Sequence, residues 1–108
     1  MSEHNPAHKG VLDSLLIGMP GVKVSKAFGY PAYKVNGKIF AFVGEHVALK
    51  LPAERVQELI ATQPETMKPF QVGDNIVWKE WVSIDRSRSD DYEQDIQLFE
   101  ESVQYVMG

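Results

Sequence analysis

The sequence predicts an α+β fold of two layers, with helices packed on one face of an antiparallel sheet. Three observations carry this prediction. The stretch Phe28–Leu51 (FGYPAYKVNGKIFAFVGEHVALKL) alternates like strands and holds two tight-turn signals. Helix-period apolar stripes occur before it, after it and at the C-terminal end. A further run, Ile76–Ile84, alternates as a strand between the last two helical stretches. The predicted order is therefore α, three or four strands, α, one or two strands, α.

Asn5-Pro6 opens the first helix, with Asn as cap and Pro at the first helical position. Val11, Leu12, Leu15 and Leu16 form its apolar stripe, and Gly18 with Pro20-Gly21 ends it. Val22 to Ala27 reads as a strand, Val22 and Val24 on one side, Lys23 and Ser25 on the other. Gly29-Tyr30-Pro31 is read as a bend, and Pro31, having no N–H, belongs at a strand start or on an edge.

Asn36-Gly37 predicts a two-residue hairpin turn with positive φ at both positions. It sets Val35 opposite Lys38, Tyr33 opposite Phe40 and Pro31 opposite Phe42. Gly44-Glu45 fits a second two-residue turn, setting Val47 opposite Phe42 and Leu49 opposite Phe40. Alternation then gives a large apolar face of Tyr33, Val35, Phe40, Phe42, Val47, Leu49 and Leu51, expected to pack on helices. The other face holds Ala32, Lys34, Ile39, Ala41, Val43, His46, Ala48 and Lys50.

Pro52-Ala53-Glu54-Arg55 opens the second helix, whose buried stripe is Val56, Leu59 and Ile60 and whose end precedes Pro64. Pro69 to Asp74 reads as an irregular strand with Phe70 as a core anchor, then a turn at Gly73-Asp74-Asn75. In the run Ile76–Ile84, strict alternation groups Ile76, Trp78, Glu80, Val82 and Ile84 against Val77, Lys79, Trp81 and Ser83, and Val82 and Ile84 suggest that the first group faces the core. After the polar loop Asp85–Ser89, a last helix begins near Ser89 with Asp90, Asp91 and Glu93 in its first turn. Tyr92, Ile96, Phe99, Val103 and Val106 make one long apolar face along it.

Composition narrows the classes. A chain of 108 residues with 44% hydrophobic and 24% charged residues has the size and balance of a single globular domain spanning 1–108. It has no cysteine, which removes disulfide and thiolate chemistry and fits the cytoplasm. No apolar run approaches the roughly 20 residues of a membrane span, and no signal peptide is evident, so no membrane role is expected. The net charge of −4 argues against strong non-specific DNA binding. Residues 1–50 hold six Lys and three acids, while the rest hold five basic and twelve acidic residues.

No catalytic constellation stands out. His4 and His8 are four apart but have no third ligand in view, so neither a metal nor a cofactor is expected. Glu45-His46 sits in a turn, Ser83, Ser87 and Ser89 lack a suitably spaced His, and Gly18, Gly21 and Gly29 do not form a phosphate loop.

The segments FGYPAYKVNGKIFAFV, VALKLPAERVQELI, MKPF and KEWVSID, followed by a final helix, resemble the MmcQ/YjbR family and the related TfoX N-terminal domain. The matching positions are Phe28, Gly29, Gly37, Lys38, Phe40, Ala41, Leu49, Lys50, Trp81 and Val82, and the resemblance runs from about Leu12 to Val106. It implies a small α+β fold shared with secretion chaperones. It also implies a DNA-binding label from the MmcQ/YjbR group and a kinship with competence regulators from TfoX. Lys79-Glu80 stands where the longer MmcQ pattern has a His-Trp pair.

The expected function is a small non-enzymatic interaction module that binds a protein partner or a second copy of the chain. The alternative is a DNA-binding regulator of the MmcQ/YjbR or TfoX type. The candidate partner-binding face is Lys34, His46 and Lys50, joined by Lys79 and Trp81 if the last strand presents that side. Basic groups beside an aromatic ring suit phosphates and bases, or an acidic protein segment.

Overall fold

The computed structural model describes residues 4–72, 74 and 76–108. Its elements run α1 (Pro6–Leu16), β1 (Val22–Ala27), β2 (Tyr30–Val35), β3 (Lys38–Val43), β4 (Val47–Lys50), α2 (Ala53–Thr62), β5 (Met67–Val72), β6 (Ile76–Ile84), a 3-10 helix (Ser89–Asp95) and α3 (Ile96–Met107). The strands form a six-stranded sheet in the order β1-β2-β3-β4-β6-β5, and every neighbouring pair is antiparallel. No helix among the described residues is long and apolar enough to cross a membrane.

The helices cover one face. Leu12 and Leu16 of α1, Val56 and Leu59 of α2, and Leu98, Phe99, Val103 and Val106 of α3 share one buried cluster with Tyr33, Val35, Phe40, Leu49 and Val82 of the sheet. α1 starts as its sequence predicts, with Asn5 Oδ1 accepting from the backbone N–H groups of Ala7 (3.0 Å) and His8 (3.1 Å). The last helix departs from prediction. Its first part is the 3-10 segment, held by the Tyr92 hydroxyl donating to the Ile84 carbonyl (2.6 Å) and by Arg86 donating to both carboxylate oxygens of Asp95.

The meander differs from the predicted registers at two places, and both move side chains between faces. Lys34 pairs with Ile39 but Tyr33 pairs with Ala41, so Phe40 is an extra residue on β3 with no partner on β2. Such a bulge shifts the alternation by one residue. Phe40 stays in the core, Ala41 and Val43 join it there, and Phe42 crosses to the opposite face beside Ala32. The second turn is a three-residue loop, Gly44–His46, with Val43 opposite Val47. It closes through Gly44 N–H to the His46 carbonyl (2.8 Å), and Asn5 N–H donates to the Gly44 carbonyl (2.9 Å). The Gly29-Tyr30-Pro31 bend is instead a tight Phe28-Gly29 turn, with Tyr30 and Pro31 inside β2. Pro31 pairs only towards β1, because the β2–β3 ladder begins at Ala32.

The β5–β6 ladder also slips. Pro69 pairs with Val82, yet Gln71 pairs with Val77, so β6 carries extra residues between these rungs. Pro69 offers no N–H to the ladder. The slip turns Trp78 to the same face as Trp81, not to the side of Val82 and Ile84, which do enter the core. Phe70, expected as a core anchor, also lies on the Trp81 face. Gly73 and Asn75 of the expected Gly73-Asp74-Asn75 turn lie outside the described residues.

Candidate functional site

On the face without helices the sheet builds its own cluster of rings. Ala32, Phe42, Ala48 and Trp81 are buried there, with Tyr30, Phe70 and Trp78 packed against them. Phe42 is the hub, its ring centroid 5.9 Å from Tyr30, 5.4 Å from Phe70, 5.3 Å from Trp81 and 5.6 Å from Phe28. Trp78 closes the outer side, 5.3 Å from Phe28 and 5.6 Å from Phe70. The small residues Ala32 and Ala48 leave room around the hub. The result is a cleft of about 640 Å³ walled by Phe28, Tyr30, Phe70 and Trp78 and floored by Phe42 and Ala48. Gly44 lines it too, and a Cβ there would meet the Tyr30 ring at 3.3 Å.

One end of the cleft is polar. His46 and Ser83 line it, and Ser83 Oγ donates to Asp85 Oδ1 (2.5 Å). His46 Nε2 is 3.8 Å from Asp85 Oδ2, and His46 Nδ1 is buried with no partner among the described residues. The Ser83 hydroxyl is thus committed to a carboxylate and not to the imidazole, so the trio lacks the nucleophile–base contact of covalent catalysis.

The two layers carry opposite charge. The strands hold Lys23, Lys26, Lys34, Lys38, Lys50, Lys68 and Lys79 against a single acid, Glu80. Glu80 accepts a hydrogen bond from Tyr105 on α3, so it belongs to the helix side. The helical segments hold Asp13, Glu54, Glu58, Asp90, Asp91, Glu93, Asp95, Glu100 and Glu101 against Lys9 and Arg55. Arg55 is held by Glu58 and Glu101. None of the strand lysines forms an ion pair among the described residues. The overall negative charge therefore resides on the helix layer, and the sheet is locally cationic.

The predicted site residues divide. His46 lines the cleft, and Trp81, 9% exposed, lies within its ring cluster. Lys50 is opposite Trp81, on the same face. Lys34 lies further along β2, facing Lys23 across the ladder, away from the cleft. Lys79 is exposed in the slipped part of β6. Sequence reasoning missed Phe28, Tyr30, Phe42, Phe70 and Trp78. The lysine bias of the strands was readable once their bounds were drawn, but the rings depend on the bulge and the slip. His8, considered earlier as a metal ligand, is buried, its Nδ1 2.7 Å from Ser89 Oγ and its ring edge-on to Tyr92. No group of three or more metal-ligating side chains occurs among the described residues.

The YjbR family model matches residues 17–104. Among solved structures, the crystal structure of the Deinococcus radiodurans protein DR2400, a DUF419 domain, superposes with a TM-score of 0.69 at 22% identity. The match covers 88% of this chain and 75% of that one. At that identity it speaks for the fold alone. No curated protein matches.

Proposed function

This chain belongs to the YjbR family, and we propose that it is a non-enzymatic interaction module whose working surface is the helix-free face of the sheet and whose partner is a nucleic acid. One observation carries this reading: Lys23, Lys34, Lys50 and Lys68 share the helix-free face with the ring cluster, while the helical segments hold nine acids and only Glu45 and Asp85 stand at the polar end of the cleft. Flat rings accept bases by stacking, and unpaired lysines neutralise phosphates. The acidic helix layer would repel the same polyanion and so orient the approach.

The test is the affinity for a fluorescent oligonucleotide at low and high salt, with wild type and with Lys50→Glu and Lys68→Glu. Lys50 is opposite Trp81 and Lys68 opposite Ser83, so both border the cleft. The affinity is expected to fall steeply with salt, and each reversal to weaken it and flatten the salt slope by roughly one phosphate contact. Absent or salt-independent binding contradicts the reading. So does a dimer, seen by sedimentation, that buries this face and excludes the oligonucleotide.

A further inference from the structure

The sheet has two hairpin turns of the same backbone form. Asn36-Gly37 has φ of 54° and 75°, and Phe28-Gly29 has φ of 56° and 81°. Asn is suited to this left-handed conformation, whereas a bulky residue such as Phe is strained in it. Phe28 is also 62% exposed, so burial does not explain its presence. What its ring does is reach across the sheet from the β1–β2 tip to Trp78 and Phe42 and wall the cleft. A strained residue at the mouth of a cleft is characteristic of ligand clamps.

Resting on the reading above, we propose that Phe28 is an aromatic clamp for one unpaired base of a single nucleic-acid strand, and that the cleft is the pocket for that base. The Phe28 and Trp78 rings are 5.3 Å apart and inclined by 59°. A base between them needs about 7 Å, two van der Waals layers of about 3.5 Å. Phe28 sits on a hairpin tip with most of its ring in solvent, so it can swing outward by that amount without disturbing the core. Phe42 and Ala48 remain fixed beneath as the floor. The inserted base directs its polar edge towards His46 and Ser83, and its flanking phosphates pass Lys50 and Lys68. A paired base cannot enter, so the clamp makes the face selective for single strands, a discrimination that lysines alone do not supply.

The turn supplies its own control. Phe28→Asn installs the residue that already occupies the equivalent place in the other hairpin, so it removes the ring while suiting the backbone. Phe28→Tyr keeps the ring. The probes are a short oligothymidylate and a duplex of the same length, titrated at low salt. Both tryptophans of the chain lie in the ring cluster, so their emission reports occupancy directly. Wild type is expected to bind the single strand at least tenfold more tightly than the duplex, with a change in tryptophan emission. Phe28→Asn is expected to melt no lower than wild type, to lose roughly tenfold or more in single-strand affinity and to keep its duplex affinity. Phe28→Tyr retains wild-type binding. Equal single-strand affinity of wild type and Phe28→Asn overturns the clamp while leaving the nucleic-acid reading in place, as does equal wild-type affinity for strand and duplex. Failure of wild type to bind either probe removes both.

Discussion

Phe40 and Phe42 stand two residues apart on one strand, yet they lie on opposite faces of the sheet. The bulge at Phe40 separates them. Phe40 is sealed under α3, whose Ser102 hydroxyl donates to the Phe40 carbonyl (3.4 Å), while Phe42 anchors the open ring cluster. Truncation should rank accordingly. Phe40→Ala leaves a cavity between two layers and is expected to cost about 3–5 kcal/mol. Phe42→Ala is expected to cost less, because rings rather than a helix cover it and solvent can refill the space. Urea denaturation of the two variants checks the order, and a reversed order contradicts the assignment of faces.

Tyr33 and Asp13 join the sheet to α1. The Tyr33 hydroxyl, fully buried, donates to Asp13 Oδ1 (2.5 Å), and Lys9 Nζ donates to Asp13 Oδ2 (2.6 Å). Burial and the adjacent carboxylate push the Tyr33 phenol far above its ordinary range. Burial alone would raise Asp13, but the hydrogen bonds from Lys9 and Tyr33 outweigh it and hold the carboxyl below its ordinary 3.8. A depressed carboxyl stabilises the fold above its unfolded value, and that contribution is lost as pH falls through the folded value. Tyr33→Phe is therefore expected to cost about 1–2 kcal/mol near neutral pH and less once Asp13 is protonated. Denaturation at neutral and at strongly acidic pH measures the difference.

His8 gives a second pH dependence. Burial, and then the nearby His46, hold its pKa below the ordinary 6.5. The folded protein thus binds this proton less readily than the unfolded chain. The stability from neutral His8 is complete above 6.5 and is lost as pH falls from there to the folded value. Melting temperature should decline as pH falls below about 6.5, and less steeply in His8→Gln, which cannot take up the proton. Parallel slopes contradict the assignment.

Much of the fold was legible because local chemistry and long-range packing agree. Val22–Ala27 and Ile76–Ile84 are strands at the bounds their alternation predicts, and Asn5-Pro6 caps α1. Asn36-Gly37 forms the turn that the dipeptide demands. The site was less legible because two register shifts built it. IFAFV alternates equally well with or without a bulge; what holds Phe40 and Ala41 together in the core is the packing of α3 on β3, a contact distant in sequence. Trp78 and Trp81 share a face only because the β5–β6 ladder slips after Pro69. Phe28 lay outside the bend read at Gly29-Tyr30-Pro31, since Phe is an unfavoured residue for its turn. Lys50 falls on the helix-free face as its alternation with Leu49 and Leu51 predicts, and Trp81, whose side the sequence left open, stands opposite it on β6.

The central claim is that the helix-free face is the working surface. Amide and indole shift mapping of isotope-labelled protein, titrated with oligothymidylate at low salt and repeated at high salt, tests it most directly. The account predicts shifts at Phe28, Phe42, His46 and Lys50 and at the indoles of Trp78 and Trp81, with α2 and α3 silent and the whole pattern lost at high salt. Shifts concentrated on α2 and α3, or none at all, would contradict it.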